Sequence, residues 1–140
     1  MLFSPRDEED IIEAIRQAEA MSTGEIRVHL DQNLTGDALA TAQSLFTKLG
    51  MEKTKDRNGV LFYVSENKKK IAVIGDVNIH KYVHQSFWDG LLKEITFSFK
   101  KDNYKEGLIN AILKTGTKLK KFFPRDGKNI ENELPNEISR

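Results

Sequence analysis

The sequence predicts an α/β protein: a three-layer α/β/α sandwich built on a small mixed sheet with one β-hairpin, helices lying on both faces. Three observations carry this expectation. Helical and strand-like segments follow one another in the order α-β-α-β-β-α-α. Two of the strand segments, GVLFYV and KIAVIG, are separated only by the polar turn SENKK, which is the signature of a hairpin. GVLFYV is also apolar throughout rather than alternating, as a strand covered on both faces must be.

Composition narrows the function classes. A chain of 140 residues is one domain in the simplest reading and can bury a core without a covalent staple. It has no cysteine, which excludes disulfides, thiolate catalysis and Cys-ligated metals. Its 22 basic and 21 acidic residues leave a net charge of +1, too little field to hold a nucleic acid. The N-terminus MLFSPRDEEDII is charged from Arg6, and no run approaches the ~20 apolar residues of a membrane span. The expectation is a soluble, cytoplasmic monomer.

The first helix reads from SPRDEEDIIEAIRQAEAM. Ser4 can cap it, Pro5 suits the first helical position, Asp7 completes a capping box, and Ile11, Ile12, Ile15 and Ala18 form the apolar stripe. Gly24 opens the strand EIRVHL. Asp37 caps a second helix with Leu39, Ala42, Phe46 and Leu49 on one face, and Gly50 ends it. After the hairpin, Trp88, Leu91, Leu92, Ile95 and Phe99 set a helix from about Val83. Asn103 and Glu106 open the last helix, with Tyr104, Leu108, Ala111, Ile112, Leu119 and Phe122 as its stripe; Pro124 stops it. Residues 125–140 are polar and aperiodic, and read as a mobile tail.

Asp56 precedes the first hairpin strand and Asp76 follows the second, so an antiparallel pairing brings both to one edge of the sheet. A right-handed crossover through the second helix makes EIRVHL parallel to GVLFYV and starts Glu25 at the same edge. Three converging carboxylates need protonation, basic partners such as Lys53, Lys55 and Arg57, or a cation. A hard cation, Ca²⁺ or Mg²⁺, would take oxygen ligands from them, with the amides of Asn58 and Asn78 nearby. Equally, DRNG and GDVN are ordinary turn chemistry, and the two aspartates fit as turn residues alone.

Other features carry less. His80 and His84 have the spacing of a zinc pair on a helix, but Lys81 stands where a metalloprotease needs glutamate. Lys68 to Lys70 in the hairpin turn, and Lys114, Lys118 and Lys121 on the last helix, read as solvated. No GxxxxGK[ST] or GxGxxG loop is present. Gly107 and Gly116 inside the last helix each cost ~1 kcal/mol relative to Ala, which close approach of another element would offset.

Taken together, GEIRVHL, FTKLGMEKTKDRNGVLFYVS, KIAVIGD and FWDGLLKEITFSFKKDNYKEGLINAILKTGTKLKKFFP resemble the TPM domain family from about Pro5 to Pro124. That family includes a thylakoid-lumen acid phosphatase, photosystem II repair proteins and a nematode receptor modulator. The resemblance implies an α/β/α sandwich with a small acidic cleft that binds divalent cations, calcium especially, and phosphatase activity in some members. Its matching positions are Glu25, Asp56 and Asp76. The chain is similar to the short stand-alone form, a TPM-like domain over 1–124 with a tail over 125–140. It departs from many relatives in reading GDVNIHKYV where they carry a glycine-rich segment. The expected function is divalent-cation binding. The alternatives are a metal-dependent phosphomonoesterase and a non-catalytic protein-interaction module, for which Phe3, Phe87 and Phe97 are candidate contacts.

Overall fold

A computed structural model describes residues 2–125 and 138–140. Helix α1 spans Pro5–Glu19, strand β1 Glu25–Asp31 and helix α2 Ala38–Lys48. A single 3₁₀ turn, Met51–Lys53, leads to β2 (Gly59–Ser65) and β3 (Lys70–Gly75). Helices α3 (Val77–Lys100) and α4 (Tyr104–Phe122) follow. The sheet order is β1-β2-β3, with β1 parallel to β2 and β3 antiparallel to it.

Every residue of β2 is buried, because it is the central strand and has a layer on each side. Val60, Phe62 and Val64 join Ile26, Val28 and Leu30 of β1 in the main core, with apolar residues of α1, α3 and α4. Leu61 and Tyr63, the alternate positions, face α2: Tyr63 clusters with Leu34, Ala42 and Ala72, and Leu61 with Phe46 and Met51. Each large apolar side chain so buried contributes about 1.5–3 kcal/mol of transfer free energy. This is the expected sandwich.

The helix ends follow local chemistry. Ser4 Oγ accepts from the Asp7 N–H at 3.0 Å, and the Asp7 carboxylate accepts from the Ser4 N–H at 3.0 Å, closing the capping box. Asp37 caps α2 by accepting the Ala40 N–H at 2.9 Å. At Gly116, α4 crosses α1 so closely that a Cβ would lie 2.6 Å from the Ala18 Cβ. Gly107 is similarly close to Ser98, so both helix-interior glycines mark close contacts.

Three expectations need correction. The third helix starts at Val77, not near Val83, and is broken at His84 (φ 64°, ψ 171°). Its short first segment buries only Ile79 and Val83, too few apolar positions to show a period. Leu39 alone of the expected α2 face is turned outward, at 49% exposed; Ala42 and Phe46 are buried and Leu49 packs beside them, joined by Ala38 and Leu45, with Leu39 rotated about 100° from Ala38. Asn103 makes no side-chain cap. Its N–H closes α3 on the Ser98 carbonyl at 2.9 Å, and its ψ of 63° lacks the extended backbone a cap requires.

Most of the expected mobile tail, 126–137, lies outside the described residues. At its far end, Ser139 pairs with the free edge of β1. Its N–H donates to the Val28 carbonyl, and its carbonyl accepts the Leu30 N–H, both at 3.0 Å.

Candidate functional site

The predicted edge forms. Glu25 pairs with Gly59 at the start of the parallel ladder, and Gly75 pairs with Val60 at the end of the hairpin, so the segments bearing Glu25, Asp56, Asn58, Asp76 and Asn78 meet at one end of the sheet. Backbone bonds lock the two loops together: the Asp76 N–H donates to the Gly59 carbonyl at 2.9 Å, and the Asn78 N–H to the Arg57 carbonyl at 3.0 Å. The Asn78 side chain adds a bond from Nδ2 to the Asp56 carbonyl at 2.8 Å. Arg57 sits between them in a left-handed conformation, φ 51°.

The five side chains have different surroundings. Asp76 is buried, caps α3 through the Val77 N–H, and takes a two-point contact from Arg57: Nε to Oδ2 at 2.8 Å and a terminal nitrogen to Oδ1 at 2.9 Å. This pairing raises the Arg57 pKa. Asp56 is half-buried and accepts the Thr23 hydroxyl at 2.6 Å. Thr23 Oγ1 in turn accepts from Asn58 Nδ2 at 3.1 Å, making a relay from Asn58 through Thr23 to Asp56. Asn58 is fully buried, and its Oδ1 has no hydrogen-bond partner among the described residues; neither has Thr54 Oγ1.

Glu25 lies deeper. It is 1% exposed, and its carboxyl stands beside that of Glu19, also buried. Glu19 Oε2 accepts the Ile26 N–H at 2.7 Å. Burial pushes the Glu19 pKa up to about 8 against that bond, and the neighbouring Glu25 carboxyl raises it further. Glu19 therefore holds a proton at neutral pH, which removes the repulsion two buried carboxylates would otherwise carry.

Trp88, the single tryptophan, closes the site from behind. A Cβ on Gly75 would fall 2.3 Å from its ring, so only glycine lets the indole cover the strand end beside Asp76. The indole N–H donates to His80 Nδ1 at 3.1 Å. The helix breaks at His84, and His80 Nδ1 is already taken by the indole, so the pair is not part of any metal-holding group among the described residues. His29 stacks on Tyr63 and meets Ser139 Oγ.

A hard cation would need oxygen ligands, and the edge offers several: Asp56, Asp76, the orphaned Asn58 Oδ1 and Thr54 Oγ1. The donor set fits Ca²⁺ or Mg²⁺ in kind. Among the described residues no group of three or more His, Asp or Glu is placed to hold a metal ion. Asp76 is engaged by Arg57 and Glu25 by its partner Glu19, leaving Asp56 as the most accessible of the three predicted acids. Of the aromatic candidates, Phe3 belongs to the core, Phe87 is half-buried, and Phe97 is 61% exposed with Lys101 Nζ 4.3 Å from its ring centre.

Thr23, Glu19 and Trp88 were not singled out from sequence as parts of this edge. Glu19 carried a signal, lying four residues after Ile15 on the apolar stripe of α1. Thr23 carried none, since its turn meets the 54–58 loop only in three dimensions.

An α/β sandwich with a polar edge where two loops of the hairpin meet defines a small domain class. A family model for the TPM domain matches residues 1–118, and the chain belongs to that family. Among solved structures, it is similar to the BA42 protein of the psychrophilic bacterium Bizionia argentinensis. Identity is 40% and the TM-score 0.89, over 99% of this chain and 95% of that one. The N-terminal domain of a P. gingivalis protein shares the fold at 21% identity, TM-score 0.70, over 84% of this chain and 76% of that. The N-terminal domain of Corynebacterium glutamicum cg2496 does so at 12% identity, TM-score 0.66, over 99% and 84%. No curated protein matches the chain. No helix among the described residues is long and apolar enough to cross a membrane.

Proposed function

We propose that this TPM domain binds a divalent cation, Ca²⁺ or Mg²⁺, at the sheet edge through Asp56, Asn58 and Asp76. Asn78 orders the loop through the Asp56 carbonyl, and Glu25 stands at the same end of the sheet, buried beside Glu19. The observation that carries the reading is the buried Asn58 Oδ1, a hard oxygen without a partner among the described residues, in the loop that presents Asp56. A buried acceptor left unmade costs about 1–3 kcal/mol, which a ligand would recover. Binding would draw Asp76 from Arg57, so Arg57 acts as an internal competitor. The test is thermal unfolding with and without Ca²⁺. Wild type should be stabilised, and Asp56→Asn, which keeps the shape and an acceptor for Thr23, should lose most of that stabilisation. Equal stabilisation of both proteins would refute the site.

A second reading, phosphomonoester hydrolysis, rests on the same edge and on Arg57, whose side chain is 42% exposed despite its bond to Asp76. Bound cation would supply charge stabilisation and a more acidic water. Arg57 would hold the phosphate and Asp56 would accept the proton of that water. Release of phosphate from a chromogenic ester, lost in Asp56→Asn and on chelation, is the expected result. Turnover that survives both would exclude this edge.

A further inference from the structure

At the other end of the sheet, about 20 Å along β2 from the carboxylates, the hairpin turn and the α3–α4 connection enclose a groove of ≈ 610 Å³. That volume suits a drug-sized ligand, for which pockets run roughly 300–1,000 Å³. Its rim is basic. Lys68, Lys69 and Lys70 reach it from the turn and Lys100 from α3, and none of the four makes an ion pair among the described residues. One carboxylate, Asp102, lies among them. Its Oδ1 is already engaged, accepting the Tyr104 hydroxyl at 2.8 Å. In a chain of net charge +1, four ammoniums around one committed acid concentrate positive field locally.

The floor has a different character. Phe99 and Tyr104 meet edge to face, ring centres 5.1 Å apart, and Ile71 lies beside them. The Asp102 bond fixes the Tyr104 ring, and Lys69 Nζ stands 5.9 Å from its centre. Both connections that build the groove hold a non-glycine residue in the left-handed region, Lys69 at φ 53° and Asp102 at φ 61°. Such conformations persist where surrounding structure imposes them, and they collect at ligand sites.

Lysine ammoniums suit phosphate oxygens as point charges, and a fixed aromatic floor suits a flat heterocycle. We propose that this groove binds a nucleoside polyphosphate, its base against Tyr104 and Phe99 and its phosphates among Lys68, Lys69, Lys70 and Lys100. The site is independent of the carboxylate edge and needs no cation there.

The experiment is an amide-shift titration with ADP in metal-free buffer, with pyrophosphate and adenosine as separate arms. ADP should shift amides of 68–71 and 99–104 and leave those of 56–58 and 76–78 in place. Pyrophosphate and adenosine should each bind at least about tenfold more weakly, since each lacks half of the contacts. The double variant Lys69→Gln, Lys70→Gln, at exposed positions, should weaken ADP at least about tenfold while keeping the native spectrum elsewhere. Absence of shifts at millimolar ADP, pyrophosphate binding as tightly as ADP, or an unaffected double variant would each overturn the proposal.

Discussion

Arg57 and Asp76 form a two-point ion pair between an exposed guanidinium and a buried carboxylate that is also the N-cap of α3. The pair ties the loop before β2 to the helix after β3, and it occupies the acid that a cation would need. Arg57→Gln should therefore lower stability without ligand, because Asp76 is left buried with one partner fewer. The same variant should gain more stabilisation from Ca²⁺ than wild type does. Paired unfolding curves at zero and saturating Ca²⁺ check both signs.

Glu19 sets a pH dependence. In the folded state its carboxyl keeps a proton up to about pH 8, whereas the ordinary value is 4.5, and burial is the chief cause. Between those values the folded state binds more protons than the unfolded chain, so this group's contribution falls as pH rises and is fully lost above pH 8. Glu19→Gln keeps an acceptor for the Ile26 N–H and cannot ionise. Its melting temperature should vary less across that window and exceed wild type by at least about 3 °C at the alkaline end.

Gly116→Ala opposes two effects. Helix propensity favours alanine by about 1 kcal/mol. Against it, the new methyl would lie 2.6 Å from the Ala18 Cβ and 2.7 Å from the Ala18 Cα, and backbone cannot yield as a flexible side chain can. Overpacking of this kind typically costs about 1–3 kcal/mol, so the variant should be destabilised on balance. Denaturant unfolding gives the sign directly.

The last three residues cover the outer edge of β1. Without 138–140, the Leu30 N–H loses its acceptor, the Ser139 carbonyl. Hydrogen exchange at Leu30 should accelerate about fivefold, as expected for one bond of about 1 kcal/mol, while Leu61 in the central strand is unchanged.

Much of this architecture was legible because its signals are local. GVLFYV declared a doubly covered strand, and Ser4 with Asp7 and Asp37 declared two helix starts. Strand direction then brought Glu25, Asp56 and Asp76 to one edge, which the β1–β2 and β2–β3 pairings reproduce. Side-chain partners were not legible. Whether Asp76 faces a cation or Arg57, and whether Glu25 points to solvent or to Glu19, depends on rotamers and burial that no spacing encodes. The Val77–Val83 segment was missed because it is too short to repeat, and the basic groove because its walls come from turns about thirty residues apart, of which only Lys68 to Lys70 drew notice, as solvated side chains.

The central claim is a divalent-cation site at the sheet edge, and the most direct test is a backbone-amide titration with Ca²⁺, repeated with Mg²⁺. The account predicts shifts concentrated at 56–58 and 76–78, accompanied by the Trp88 indole N–H behind Gly75. Spectra unchanged at millimolar cation, or shifts spread over exposed acids elsewhere, would contradict it and return Asp56 and Asp76 to the structural roles of loop anchor and helix cap.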